Sequence, residues 1–292
     1  MSLEIRVILS AVLFSFPLAA PAFAQDMNPP VEPAPPPPPE IGGDSFSIAI
    51  GGASVPSYEG SNSNRVVPVG MIRGSLSGIN FSTRGTRLLV DVVPDKPGPG
   101  FDFQLGPVVG VNLDRTNLKN IRDARVAALG DRKTAIELGG YIGIGKTGVI
   151  TSDYDKLTAS VSYVHDVNNA HKSYLVTPQI DYGTPLSHKA YIGVSANAVY
   201  AGGGYARTYF SVDAPGSLAS TLPVYSAGKG WKSYSLTGLA TYSLTGDLTH
   251  GLAIIAGLSY SRLLGDFAES PVTRIAGDRN QLLFGAGMGY TF

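Results

Sequence analysis

The sequence contains no cysteine and carries no net charge. Without cysteine the chain has neither a disulfide nor a thiolate, so disulfide-stapled folds and cysteine chemistry are excluded. The 22 basic residues are balanced by 22 acidic residues, which leaves no electrostatic basis for capturing nucleic acid. Charged residues make up only 15% of the chain, whereas there are 36 glycines and 15 tyrosines. This composition suits a β-rich protein with an apolar exterior.

Long apolar runs are also missing after the N-terminal segment, so the sequence predicts no membrane-spanning helix. Residues 1–24 have the pattern of a cleaved signal peptide: Arg6, an apolar run over 7–18, and the small residues Ala22 and Ala24. A membrane anchor is the alternative, but the apolar part falls short of the roughly 20 residues that it needs. The proline-rich residues 25–43 are predicted to form a periplasmic linker that favours polyproline II.

From Ser45 onward, apolar and polar residues alternate with a period of two, which predicts β-strands with two different faces. The pattern is clearest in the last three segments. We predict twelve strands, with ten as the alternative, near residues 45–52, 65–73, 86–92, 101–111, 134–145, 157–163, 174–182, 189–199, 205–210, 232–244, 252–261 and 282–292.

Three features favour a transmembrane barrel over a soluble β-sandwich. Many predicted strands approach the roughly 9–11 residues that a tilted strand needs to cross a bilayer. Tyrosines such as Tyr174, Tyr234 and Tyr290 lie near strand ends, as an interfacial aromatic girdle requires. With no helix available, only a closed ring gives every backbone amide a partner inside hydrocarbon. Residues 44–292 are therefore predicted to form an all-β antiparallel barrel in the bacterial outer membrane.

The C-terminal strand carries the most specific local signal. Gly287, Tyr290 and Phe292 end an alternating segment with a terminal aromatic residue. This arrangement resembles the insertion signal of bacterial outer-membrane barrels, which the barrel-assembly machinery reads.

The chain from about Ser45 resembles the MipA/OmpV family of outer-membrane proteins, whose founding member is named for binding a lytic transglycosylase. The resemblance rests on short stretches in the loops. The residues that carry it are Tyr58, Glu59, Gly60, Tyr209, Phe210, Arg262, Leu264, Gly265, Asp266, Ser270 and Pro271. Ser211 departs from the family pattern, which usually has glycine after Tyr-Phe. The resemblance implies a scaffold or an adhesion-related barrel.

Motifs that could carry chemistry are weak. His171 and Ser173 have the spacing of an imidazole and a hydroxyl on one strand face, as in outer-membrane lipid A deacylases, but they lie at a predicted turn. His165, His188 and His250 lack the spacing of a metal site. The three glycines of residues 202–204 are predicted to form a tight turn. We therefore predict no enzyme activity, no cofactor and no metal.

Polar residues predicted to face the lumen could line a pore or form a hydrogen-bonded filling; they are Asp102, Gln104, Glu137, Gln179, Asp181, Asn197 and Arg207. Long loops at 211–231 and 262–279 are predicted outside the cell. The same strand count puts residues 112–133 in the periplasm. This segment is predicted to contain a short basic helix that ends at Gly130. Three explanations remain open for its position: a strand has been miscounted, the segment is a plug inside the lumen, or it is a periplasmic docking element.

The predicted function is a monomeric outer-membrane platform that interacts with periplasmic cell-wall enzymes, with residues 25–43 and 112–133 as the expected contact regions. The alternative from another functional class, transport, is a narrow porin or solute channel. An adhesion role for the long loops is compatible with the platform function.

Overall fold

The computed structural model describes residues 44–94 and 100–292. The predicted signal peptide (1–24) and linker (25–43) lie outside this part of the chain. The strands are β1 (Ser45–Pro56), β2 (Asn64–Leu76), β3 (Ile79–Arg84), β4 (Arg87–Asp91), β5 (Phe101–Asn112), β6 (Ala135–Thr147), β7 (Lys156–Asp166), β8 (Tyr174–Pro185), β9 (Ala190–Ala201), β10 (Gly230–Ser243), β11 (Gly251–Leu263) and β12 (Asn280–Thr291).

The twelve strands form one closed antiparallel ring. Each strand pairs with the next along the chain, and β12 closes the ring against β1 from Ser47↔Thr291 to Ser54↔Phe284. The predicted fold class and the predicted number of twelve strands are confirmed. The number is correct only because one wrongly predicted strand is balanced by one strand that was not predicted. The strand predicted at 205–210 is a helix, and β3, which the sequence analysis missed, replaces it in the count.

Six short helices occupy the connections of the described chain: the 3-10 helix Leu118–Asn120, then α1 (Ala124–Ala128), α2 (Gly203–Phe210), α3 (Ala214–Ser220), α4 (Gly265–Glu269) and α5 (Pro271–Arg274). In the residues that the structure describes, no helix is long and apolar enough to cross a membrane.

The alternation of the strands separates an apolar exterior from a small-residue and polar interior. On β1 and β12 the exterior residues include Ile48, Ile50, Phe284 and Met288, which are exposed to the surroundings. Directly paired residues share one face of a sheet. Ser47 and Thr291 form such a pair and join their hydroxyls at 2.8 Å, which marks their face as the interior.

Aromatic side chains lie near both ends of the barrel exterior and form parts of two girdles. Near one end of the barrel, ring pairs with centroids 5.6 to 6.5 Å apart join Tyr163 to Tyr174, Tyr200 to Trp231 and Tyr234 to Tyr260. Near the other end, Phe46 contacts both Phe81 and Phe292. Such girdles sit at the two membrane–water interfaces, so the strands between them cross the hydrocarbon.

The predicted insertion residues lie on β12 at the seam of the ring. Tyr290 and Phe292 belong to the second girdle, with ring centroids 4.8 Å apart. Gly287 allows a close strand approach, because a Cβ there would lie 2.4 Å from the carbonyl oxygen of Ile50. The structure thus shows where these residues sit, while their role in assembly remains a prediction.

The two ends of the barrel have different connections. At the end that we call the loop end, the strands are joined by residues 57–63, 113–134, 167–173, 202–229 and 264–279. At the opposite end, where β1 begins and which we call the turn end, the connections are shorter and include residues 77–78, 148–155, 186–189 and 244–250. Because long loops of outer-membrane barrels face outward, we assign the loop end to the cell exterior and the turn end to the periplasm.

Candidate functional site at the loop end

The long loops fold together into a cap over the loop end of the barrel. Two apolar clusters hold it. One is formed around Tyr205, Tyr209, Phe210 and Phe267, and reaches down to Val108 on the barrel wall. The other joins residues of four loops, namely Tyr58, Ile121, Val126, Val212, Leu222, Val272 and Ala276. The cap is therefore a packed core made by loops.

Helix α2 fills the mouth of the barrel beneath the other loops. Its buried residues Tyr205, Ala206, Tyr209 and Phe210 recur at the i, i+4 spacing of one helix face. The strand predicted at 205–210 is therefore wrong. An isolated helix of eight residues is marginal in water, so this helix depends on tertiary packing that the local sequence does not show. Arg207, predicted to line the lumen from that strand, lies instead on the helix.

The glycines before α2 permit its close contact with the neighbouring loop. Gly202 is the N-cap residue of α2, and Gly203 and Gly204 are in its first turn, so the predicted tight turn is wrong. A Cβ on Gly204 would lie 2.3 Å from the carbonyl oxygen of His171, and one on Gly202 equally close to Ser173 Oγ. These glycines have a packing function that the sequence alone did not reveal.

Residues 113–134 belong to the cap and not to the periplasm. Adding β3 to the strand count reverses the side on which this segment falls, so the strand was miscounted. With the loop end assigned to the cell exterior, the segment lies at the end of the barrel opposite the periplasm. Its predicted short helix is present as α1, followed by Gly130 at φ +80°. Arg132 Nε donates to the carbonyl oxygen of Thr208 at 2.7 Å, near the carbonyl end of α2, where positive charge is favoured.

The family residues Tyr58, Glu59 and Gly60 join the first loop to the rest of the cap. The Tyr58 hydroxyl donates to the carbonyl oxygen of Ala276 at 2.6 Å. Gly60 has φ +94°, and a Cβ there would lie 2.7 Å from Thr273 Oγ1. The loop therefore needs glycine at this position both for its backbone conformation and for space.

Glu59 is the centre of a charged cluster under the cap. Lys232 Nζ forms an ion pair with its carboxylate, and the hydroxyl of Tyr205 donates to Glu59 Oε2 at 2.7 Å. Lys232 also lies over the Tyr205 ring, 5.0 Å from its centroid. The backbone N–H of Glu59 donates to Asp114 Oδ1 at 2.8 Å. Burial, and then the negative charge of Glu59, raise the pKa of Asp114 to about 6.

The remaining family residues hold the last long loop. Asp266 Oδ2 accepts from the N–H of Gly228 at 2.7 Å, beside Leu264 and Gly265 at the start of α4. Ser270 Oγ donates to the carbonyl oxygen of Phe210 at 2.5 Å and precedes Pro271, the first residue of α5. Arg262 donates to Asn280 Oδ1 at 3.2 Å on the rim. Most of these residues connect one part of the cap to another.

His171 and Ser173 lie under the cap, where both are almost completely buried. His171 Nε2 lies 3.5 Å from Glu137 Oε1, and its ring meets Tyr205 edge-on at 5.2 Å. Burial of this kind leaves no access for a lipid substrate, which argues against a hydrolase site. Of the residues described, no group of three or more His, Asp or Glu side chains is placed to hold a metal ion.

The predicted lumen residues on β5 to β9 do face the interior, where two pairs of them bond to one another. Gln104 donates to Asp102 at 3.0 Å, and Gln179 donates to Asp181 at 2.7 Å. Across the interior, Arg84 Nη2 lies 3.4 Å from Asp181 Oδ2, and Arg87 donates to Glu137 at 2.8 Å. Below the cap, a cavity of about 310 Å³ opens beside Arg84 and Arg87.

Comparisons with solved structures give outer-membrane barrels of low similarity. The COG4313 outer membrane channel from Pseudomonas putida F1 is 12% identical, with a TM-score of 0.42 over 86% of this chain and 96% of that chain. OmpT of Vibrio cholerae is 9% identical, with a TM-score of 0.34 over 85% of this chain and 97% of that one. No curated protein sequence matches the chain.

A family model for the MltA-interacting protein MipA matches residues 48–292, which include all twelve strands except the start of the first. This range also contains the loop residues on which the resemblance was based. The barrel and the family together identify a bacterial outer-membrane protein. The chain belongs to the MltA-interacting protein MipA family.

Proposed function

We propose that the barrel is a platform that holds a periplasmic lytic transglycosylase, the enzyme class for which the family is named, against the outer membrane. The observation that carries this proposal is the packed core that closes the loop end, because an axial pore would need an open mouth there. Holding a soluble enzyme at the membrane raises its effective concentration without new chemistry at the platform.

The turn end offers a surface for such a partner, formed by residues 148–155, 186–189 and 244–250. The turns are bonded to their surroundings: Thr151 Oγ1 lies 2.8 Å from Thr184 Oγ1 near the end of β8, and the N–H of Leu248 donates to the carbonyl oxygen of His188 in the neighbouring turn at 2.9 Å. Ile150 and Leu186 expose 67% and 62% of their surface. We call this set of turns the turn-end surface.

Asp155 makes the first of these turns rigid. Its buried carboxylate accepts from the N–H groups of Val149, Ile150 and Thr151 at 2.5 to 2.8 Å, and from the Tyr182 hydroxyl at 2.9 Å. Burial acts to raise the pKa of Asp155, but the backbone N–H groups hold it well below its ordinary value. Ile150 is therefore presented on a preorganised backbone, which lowers the entropic cost of binding.

The test uses the full-length tagged protein in intact cells, crosslinked and purified from the envelope. We expect a lytic transglycosylase to be recovered, identified by mass spectrometry and by its peptidoglycan-degrading activity. The double variant Ile150→Asp, Leu186→Asp should reduce this recovery at least tenfold, and deletion of 28–40 should reduce it if the predicted linker contributes.

Leu218→Asp is the matched control. Leu218 is 88% exposed on α3, at the opposite end of the barrel, so this variant should recover the enzyme as the wild type does. Equal recovery by the wild type and the turn-end double variant, each shown to be a folded barrel by its heat-modifiable electrophoretic mobility, would sink the assignment of this surface.

The channel alternative is favoured by one observation. Interior residues of β9 to β12, such as Ser235, Thr237 and Ser259, are only partly buried, so the interior is not completely packed. Since the cap closes the axial route, a channel would need the cap to move or another route through the barrel. The adhesion role of the long loops stays a prediction for their exposed residues.

A further inference from the structure

The barrel wall is incomplete beside β2. On one edge β2 pairs with β1 along its length, from Asn64 to Ser75. On the other edge β3 pairs only with residues 73–76, and the adjacent Ile72 N–H is bonded to Thr83 Oγ1 at 3.0 Å. Residues 64–71, about 26 Å of strand at roughly 3.3 Å per residue, have no partner strand on this edge within the described chain. We call the space between these residues and the β3–β4 hairpin tip (residues 84–87) the wall gap.

The sequence of β2 is suited to an open edge. Backbone groups of alternate residues point to the same side of a strand, so Val66, Pro68 and Gly70 share the side on which Ile72 meets Thr83. Proline has no N–H to leave unpaired, and within sheets it is found at edges. Pro68 therefore fits an open edge, although Pro107 and Pro178 show that the ring also accepts proline in strands that pair on both sides.

The interior side of β2 differs from the rest of the barrel interior. Its pairing with the interior residues Ala49, Gly51 and Ala53 puts Met71, Val69 and Val67 on the inside. Val69 and Met71 are each 39% exposed. By contrast, β10 presents mainly serine and threonine to the interior. Beside the wall gap there is thus an apolar track of about 13 Å.

Arginines surround this track. Arg65 and Arg73 occupy the next interior positions at its two ends, and Arg84 and Arg87 line the 310 Å³ cavity at the hairpin tip. Asp181 and Glu137 partly neutralise Arg84 and Arg87, at 3.4 and 2.8 Å. The Nε atom of Arg65 is buried without a hydrogen-bond partner. Four guanidinium groups against two carboxylates leave excess positive charge next to an apolar surface.

We propose that the wall gap is a lateral binding site for a single-chain anionic amphiphile, an alkyl carboxylate. Its chain lies along Val67, Val69 and Met71, and its head group binds the arginines at the hairpin tip. The cavity is in the size range of small-molecule sites, and guanidinium groups bind carboxylates in bidentate geometry. Binding at this site does not depend on the proposed interaction with a periplasmic enzyme.

Binding is tested with 11-(dansylamino)undecanoic acid and the purified full-length barrel in a maltoside detergent. We expect saturable fluorescence enhancement. The variant Arg73→Gln, Arg84→Gln should bind the probe at least tenfold more weakly, and the probe's methyl ester should bind the wild type similarly weakly. Arg262→Gln, an arginine on the loop-end rim away from the gap, is the matched control and should bind as the wild type does.

A second measurement does not depend on charge variants. Because the chain has no cysteine, a single cysteine can be placed at Val69 or, on the distant wall, at Ser235. Dodecanoate should slow maleimide labelling of Val69→Cys at least fivefold and leave Ser235→Cys unchanged. Equal protection at both positions, or equal binding of acid and ester, would overturn the proposal. So would a dimer crosslinked through Gly70→Cys, since a second copy would then cover the open edge.

Discussion

The loop end and the β9–β12 wall are built from opposite kinds of side chains. The cap buries large residues such as Tyr209, Phe210 and Phe267, whereas that wall presents small residues such as Ser235 and Gly257, which stay partly exposed. The ring is held by its backbone ladder and needs little interior packing. The cap has no sheet of its own, and therefore depends on side-chain burial and ion pairs. Substitutions should consequently disturb the cap far more than that wall.

The largest expected effect is that of Phe210→Ala. Phe210 is fully buried and meets Phe267 edge-on at 5.1 Å. Removing its ring should lower the free energy of opening the cap by about 3–5 kcal/mol. Hydrogen exchange of residues 203–210 should then become at least a hundredfold faster.

The same variant separates the platform from the channel. The wild type should show no stable unitary conductance in a planar bilayer, and Phe210→Ala should show intermittent openings. Leu218→Ala, at an exposed residue of the cap, is the control and should change neither measurement. Stable steps from the wild type would mean that the packed mouth does not block ions, and would favour the channel.

A smaller effect is expected from Glu59→Gln. This change leaves Lys232 buried without its carboxylate, and we expect it to destabilise the cap by about 2 kcal/mol. The matched control is Glu269→Gln, because Glu269 is exposed and lies 3.8 to 3.9 Å from Arg274 and Arg279. Exposed pairs of this kind contribute about 0–1 kcal/mol.

Hydrogen exchange of the cap peptides measures both variants. Adding Lys232→Met to Glu59→Gln should recover part of the loss, since the uncompensated charge is then removed. If Glu59→Gln and Glu269→Gln had the same effect, the buried cluster would be no more important to the cap than a surface pair.

The difference between the ring and the cap also explains which parts of the fold could be predicted from the sequence. The ring was predictable because alternation and the terminal aromatic residues are local signals of a strand with two environments. The six residues of β3 were missed because this strand is short and pairs with only four residues of β2. The Tyr205–Tyr209 and Ala206–Phe210 spacings were a helical signal within the segment assigned to a strand.

The site was less predictable than the ring. The loop motifs pointed to Glu59 and Phe210, but not to Lys232 or Asp114, whose importance depends on which loops meet. Those contacts join residues far apart in sequence, such as Glu59 and Lys232. A local sequence pattern does not predict which distant residues will come into contact. The wall gap was equally invisible, since it depends on where β3 stops relative to β2.

The smallest predicted effect concerns pH and Asp114. A carboxyl whose pKa is raised to about 6 in the folded cap binds its proton more tightly there than in the open cap, where its pKa is near the ordinary value of about 3.9. The cap should therefore lose stability as pH rises between these two values, and the loss should be complete above pH 6. The full shift is discounted because Asp114 keeps partial solvent access, so we expect roughly 1–2 kcal/mol.

Asp114→Asn isolates this effect, because the amide oxygen can still accept from the N–H of Glu59. The variant should open less readily than the wild type at pH 7.5 and equally at pH 4, as measured by limited proteolysis of residues 113–134 with a protease active at both values. Asp131→Asn, at an exposed carboxyl of the same loop, should match the wild type at both. If Asp114→Asn were instead less stable at pH 7.5, the charge of Asp114 would stabilise the cap through Arg115 and Lys232, and burial would not be the dominant influence on this carboxyl.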